Sequence, residues 1–266
     1  MRIIAYITVR NERACLANCL THLIEQGVDY FIVDNESDDG SLDLLAQPRF
    51  AAHLAGLIHH PYDGVFDWTA LLERVEEGIA SVDADWVLLL GADEVPHPYT
   101  SETLAQAIAR LDAAGCDAIN FNEFVFLPID HAYQSDYLGP QPMSWYYFHE
   151  PQPNRLIRAR RKSLALDWIS SGGHRLDGGS YRLAEESLAL RHYLFKDQEH
   201  ALEKYSQRAF PDEEVARGWH RNRMNQEREK FIFPDPGNLS RLSHPGQREL
   251  SRERPYQNHY WQWGNR

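Results

Sequence analysis

Apolar runs that end in acids or amides alternate with amphipathic stretches over the first 120 residues of the chain. Residues 3–9 read as a first buried strand, apolar except at Thr8, followed by Asn11 and Glu12, with Asn11 placed to cap what comes next. Cys15, Leu16, Cys19, Leu20, Leu23 and Ile24 then recur at three- and four-residue spacing, which predicts one apolar face of a helix closed by Gly27. Residues 29–33 predict a second strand, ending in the polar turn 34–40, and a short helix carries Leu42, Leu44 and Leu45. Residues 56–60 suggest a third strand, and Trp68, Leu71, Leu72, Val75 and Ile79 mark a second helical stripe. The run 86–90 is apolar throughout and stops at Gly91-Ala92-Asp93-Glu94. A helix over about 100–113 and strands over 118–121 and 124–127 complete the alternation. Strand–helix alternation of this kind predicts an α/β fold built on a mostly parallel sheet flanked by helices.

After Pro128 the periodicity weakens. Residues 128–154, rich in Pro, Tyr, Gln and Trp, read as a long loop or lid. Strands are expected at 155–160 and 188–193, with the turn Ser170-Ser171-Gly172-Gly173-His174-Arg175 between them. A helix is expected over 198–210. Beyond Pro211 the chain is polar and ends in the aromatic Tyr260-Trp261-Gln262-Trp263, which suggests a partly disordered tail or one laid over the body. The resulting division is a first half over 1–125, a second over 126–210 and a tail over 211–266, within a single compact domain.

The formal net charge of −12 argues against a general nucleic-acid binder, whose affinity rests on Lys and Arg. A nucleotide site needs only local complementarity and stays compatible with it. Cys15, Cys19 and Cys116 form no metal-ligand pattern and read as reduced core residues. The N-terminus lacks the pattern of a signal peptide, and no stretch approaches the ~20 apolar residues of a membrane span. A cytoplasmic location is expected, with peripheral attachment to the inner membrane face left open.

Three predicted strand ends carry polar groups: Asn11 and Glu12; Asp34 with Asn35, Ser37 and Asp39 behind it; and Asp93 and Glu94. Singly, each more often marks a solvated turn. Jointly, at the carboxyl edge of a parallel sheet, they can converge on one ligand. Carboxylates there suit a hard cation, Mn²⁺ or Mg²⁺, beside a phosphate. His174 follows two glycines and His192 ends an alternating segment, and either can act as a ligand. The basic run Arg155 to Lys162 reads as a solvated strand face or as a contact for a diphosphate or anionic acceptor. Trp145, Tyr146, Tyr147 and Phe148 form either an acceptor site for a sugar ring or a hydrophobic anchor for a long loop.

The segments Val9-Arg10-Asn11-Glu12 and 31–41, with 86–94, resemble the opening and the metal-binding Asp-x-Asp segment of family 2 glycosyltransferases. The subgroup that reads Asp-Ala-Asp-Glu is the nearest in pattern, and Arg191-His192-Tyr193 with Glu203-Lys204 is similar to its closing His-Tyr and Lys. One position departs: Gly91 stands where the first Asp would be, which removes a contact to ribose or metal water. The resemblance implies the GT-A, Rossmann-like fold and a metal-dependent, inverting transfer from a nucleotide-diphosphate sugar to a glycan, lipid-linked or other hydroxyl acceptor. It gives Asp34 the nucleotide base, and Asn11, Glu12, Asn35, Ser37 and Asp39 the surrounding pocket. Asp93 would hold the metal, aided by Glu94 or His192.

The base that deprotonates the acceptor is expected to be Glu123, with Asp136 and Glu150 as weaker candidates, and Trp145 and His174 to contact the acceptor. Two other readings follow from Gly91 and from the aromatic tail: a nucleotide-sugar-binding protein impaired in catalysis, and a protein-interaction module on an α/β scaffold.

Overall fold

Strand β1 (Ile3–Val9) is apolar at almost every position because both of its faces are covered. Ile3, Ala5, Ile7 and Val9 pack with Leu16, Cys19, Leu20 and Leu23 of helix α1 (Arg13–Glu25), while Ile4 and Tyr6 face the opposite layer. Strand β2 (Asp29–Asp34), the short α2 (Pro48–Ala51) and strand β3 (Leu54–His59) follow. Helix α3 (Trp68–Ser81) is capped by Asp67, which accepts the Ala70 amide, and its Leu71, Leu72, Val75 and Ile79 cover that opposite face. Strand β4 (Trp86–Gly91) then enters the sheet beside β1, which has β2 on its other side, all parallel. The structure is a computed structural model and describes residues 1–129, 143–206, 208–224 and 228–263.

Two residues after β4 the chain reverses into β5 (Glu94–His97). Helix α4 (Leu104–Ala113), held by a Thr103–Gln106 capping box, joins α1 on the first face. Strand β6 (Ala118–Leu127) is one continuous ten-residue strand where two were expected. Strand β7 (Trp145–His149) pairs antiparallel with its second half. Strand β8 (Ile157–Arg161) lies antiparallel between β4 and the first half of β6. Strand β9 (Leu188–His192) runs parallel to β6 and antiparallel to β5. The long β6 therefore serves two sheet regions, one shared with β4 and one built around β5, β9 and β7. Helix α5 (Gln198–Ser206) is shorter than the expected 198–210.

The aromatic run at 145–148 is a strand and not part of a loop. Tyr146, Tyr147 and Phe148 are buried, Tyr146 and Phe148 against Phe124, and a strand covered on both faces shows no alternation to read. Asp136, a weaker base candidate, lies outside the described residues. In the C-terminal segment, α6 (Asp212–Ala216) is followed by β10 (Ser240–Arg241) and β11 (Pro255–Tyr256). Both strands pair with β7. Tyr260 and Trp261 are buried with Val125, Leu127, Phe195, Tyr205 and Phe231. Cys15, Cys19 and Cys116 are free and buried. Among the described residues no helix is long and apolar enough to cross a membrane.

Candidate active site

A cavity of about 620 Å³ opens at the carboxyl ends of β1 and β4. Its wall takes Val9, Glu12 and Asn35 from the first strand ends and Gly91, Asp93 and Glu94 from the β4–β5 turn. His149, Arg155, Arg158, His174, His192 and Lys204 come from the middle of the chain, and His259 and Gln262 from its end.

The centre of this site is a chain of alternating charges. Lys204 Nζ on α5 lies 2.9 Å from Asp93 Oδ2 and 3.2 Å from Glu12 Oε1. Asp93 Oδ1 is 3.6 Å from His192 Nε2, and His192 Nδ1 is 2.7 Å from Glu123 Oε1. The other Glu123 oxygen accepts from His149 at 3.2 Å and from Arg155 at 3.1 Å. The β5–β9 pairing builds this arrangement by placing Glu94 opposite His192. Burial opposes charge on the His192 ring, but Asp93 and Glu123 on either side prevail and push its pKa up to about 10. Burial likewise acts to raise the Asp93 pKa, and Lys204 and His192 outweigh it, holding the carboxyl well below its usual range. Glu123 is held low in the same manner, by hydrogen bonds from His149 and His192 and by the Arg155 charge.

Glu94 turns away from Asp93. Its Oε1 accepts from Arg158 Nη2 at 2.8 Å and its Oε2 from the Gly91 amide at 2.8 Å. Arg158 also donates to the Gly173 carbonyl at 3.1 Å. Arg158 and Arg160 are buried, and Arg160 pairs with Glu76 at 2.6 Å, so this basic run is not a solvated face. A divalent cation at this corner needs oxygen ligands or a neutral imidazole. Asp93 Oδ2 is taken by Lys204, both Glu94 oxygens are taken by Arg158 and the Gly91 amide, and His192 is held by Glu123 through Nδ1. The expected set Asp93, Glu94 and His192 therefore does not fit a metal. Among the described residues no other group of three His, Cys, Asp or Glu side chains is arranged to hold one.

The nucleotide set divides. Glu12, Asn35 and Asp93 line the cavity, whereas Asn11, Asp34, Ser37 and Asp39 hold one loop against another. Asn11 does not cap α1; it adopts φ 55°, and its side chain exchanges two 2.9 Å hydrogen bonds with Asp38. Ser37 Oγ accepts the Asn11 amide, and Asp39 accepts the Arg13 and Ser41 amides. Asp34, buried at the end of β2, accepts the Ser37 amide at 3.2 Å and meets His59 Nδ1 at 3.3 Å. Of the acceptor residues, His174 lines the cavity. Trp145 lies at the start of β7, with the Arg241 guanidinium 5.1 Å from its ring, and is not among the lining residues.

Glu123 sits behind the cavity wall and reaches it through His149, Arg155 and His192. Three further arginines line the cavity without a local signal in the sequence: Arg208, over Phe66, Arg221, and Arg223, over Tyr205. Only the count of Arg in the polar C-terminal third hinted at them.

Residues 5–165, more than half of the chain, match the profile described as Glycosyl transferase family 2. The chain belongs to glycosyl transferase family 2. The mixed, helix-flanked sheet described above is the GT-A arrangement expected from the sequence. No curated protein matches the chain. Among solved structures it is similar to TarS of S. aureus, at 12% identity and TM-score 0.45, over 76% of this chain and 39% of that one. The mannosyltransferase PcManGT from Pyrobaculum calidifontis, in complex with GDP-Man and Mn²⁺, is similar at 15% identity and TM-score 0.43, over 77% and 61%. Glucosyl-3-phosphoglycerate synthase from Mycobacterium tuberculosis, with Mn²⁺, UDP-glucose and phosphoglyceric acid, gives 16% identity and TM-score 0.32, over 60% and 57%. The chain thus spans less than two thirds of the length of each of these structures.

Proposed function

We propose that this chain transfers a sugar from a nucleoside-diphosphate donor to a hydroxyl acceptor, with inversion at the anomeric carbon. The observation that carries this reading is the cationic cavity at the carboxyl ends of β1 and β4, in a chain whose overall charge is negative. Arg158 and Lys204 meet carboxylates, while Arg208 and Arg223 line the same cavity without a carboxylate partner among the described residues. That surplus suits a diphosphate.

In the reaction the acceptor oxygen forms a bond to the anomeric carbon as the bond to the β-phosphate oxygen breaks. The electron pair leaves on the diphosphate, and the acceptor proton passes to a base. His149 is the base in this reading. Ionised Glu123 accepts a hydrogen bond from Nδ1–H, which leaves the Nε2 lone pair to act as base, and His149 lines the cavity. Glu123 is then a positioning residue. Gln257, Asn258 and His259 line the cavity together with His149 and make the acceptor side. No step is assigned to a divalent cation, because its expected ligands are engaged with protein cations.

The test is a thermal-shift series with UDP-, GDP-, CMP- and dTDP-sugars. A nucleoside-diphosphate sugar at about 100 times its Kd adds about 2.7 kcal/mol of stability, a rise of several degrees in Tm. No shift with any of the four would overturn the reading.

A further inference from the structure

Of the two carboxylates that the β4–β5 turn brings to the cavity, Glu94 is taken by Arg158 and the Gly91 amide, and a lysine reaches the other, Asp93. Lys204 Nζ is 2.9 Å from Asp93 Oδ2 and 3.2 Å from Glu12 Oε1, with only 9% of the side chain exposed. Its remaining contact is the Leu194 carbonyl at 3.5 Å, too long to hold a donor firmly. One N–H is therefore free to turn to an incoming oxygen. Gly91 leaves no second acid beside Asp93, and a Cβ at that position would come within 2.8 Å of Asp93 Oδ1. The turn as packed has no room for one.

The charge balance agrees. Lys204 is matched by Asp93 and Glu12, Arg155 by Glu123 and Arg158 by Glu94. A divalent cation here would compete with these pairs. It would also have to strip Asp93 of Lys204, leaving a buried ammonium without one of its partners, which is costly. Arg208, Arg221 and Arg223 also line the cavity and form no ion pair among the described residues, which leaves positive charge for a diphosphate.

Resting on the donor reading above, we propose that Lys204, positioned by Asp93 and Glu12, is the fixed cation that receives the leaving diphosphate, and that donor binding needs no divalent metal. The ammonium keeps its proton and its two carboxylate contacts. It adds a charge-assisted hydrogen bond to the phosphate oxygen on which the electron pair of the broken bond settles.

The experiment is calorimetric titration of UDP and of GDP into the full chain, in EDTA and in MnCl₂, with paramagnetic resonance of Mn²⁺ as a second readout. The wild type should bind one of the two nucleotides with affinities in EDTA and Mn²⁺ that agree within about threefold, and should leave the free Mn²⁺ signal unchanged. Lys204→Met should weaken binding in EDTA by about 30-fold, and Lys204→Arg by much less. Tighter binding in Mn²⁺ by about tenfold or more, with a bound-Mn²⁺ signal, would overturn the proposal while leaving the donor reading intact. No binding under either condition would overturn both. The wild-type comparison decides the matter even if the Met variant fails to fold.

Discussion

Glu123 shows how a single side chain can be legible in position and not in role. A carboxylate interrupting the apolar run Phe121 to Leu127 was visible as an anomaly, because a buried acid needs partners. What it does depends on His149, Arg155 and His192, which lie on three other strands or loops and share no local signal with it. Asp93 is similar: its place at a strand end could be read directly, but its occupancy by Lys204, more than a hundred residues on, could not. Replacing Glu123 with Gln keeps the shape and removes the charge that fixes the His149 tautomer. The expected result is a kcat lowered about 100-fold with donor KM unchanged, and loss of the alkaline plateau in the pH–rate profile. The buried cations left without an anion should also cost about 3 kcal/mol of stability, measured by urea unfolding. An unchanged kcat in a folded variant would remove Glu123 and His149 from the mechanism.

Among elements, β1, β2, β4, α1, α3 and α4 were readable because continuous apolar runs and 3.6-residue stripes are strong signals where each element buries its own apolar surface. Strands β5 and β7 were not. Pro96 interrupts the first, and the second is buried on both faces without a polar period. Strand β5 also holds His97, whose Nδ1 donates to the Pro98 carbonyl at 2.9 Å while its Nε2 accepts from Arg191 Nε at 3.1 Å. Burial first, and the Arg191 charge second, lower its pKa from 6.5 to about 3. The unfolded chain therefore takes up this proton before the folded one does. The stability it contributes is complete above about pH 6.5 and is eroded as pH falls from there towards 3. Urea unfolding of the wild type should show a loss of up to about 1.4 kcal/mol per pH unit in this window from His97 alone. His97→Gln should lower that slope, and an identical slope in the variant would contradict the assignment.

At the level of the whole molecule, one cavity draws on all three stretches of the chain, 1–125, 126–210 and 211–266. Glu12 and Asp93 come from the first, His149, His192 and Lys204 from the second, and His259 from the third. The polar composition after 211 concealed this, because the segment contributes few apolar residues and divides them between two clusters, with Leu242 and Leu250 in one and Trp261 beside Phe195, Tyr205 and Phe231 in the other. Trp261→Ala should cost about 3–5 kcal/mol, seen as a Tm lowered by several degrees. A tail that serves only as a detachable interaction arm would leave Tm unchanged. The central claim is that a nucleoside diphosphate occupies this cavity with its phosphates against protein cations. A crystal structure of the chain with UDP or GDP, whichever binds, tests it most directly. The account predicts a diphosphate within hydrogen-bond distance of Lys204 Nζ, with Lys204 still on Asp93 and with Arg208 or Arg223 on the opposite oxygens. A nucleotide bound elsewhere, or a metal on Asp93 with Lys204 displaced, would contradict it.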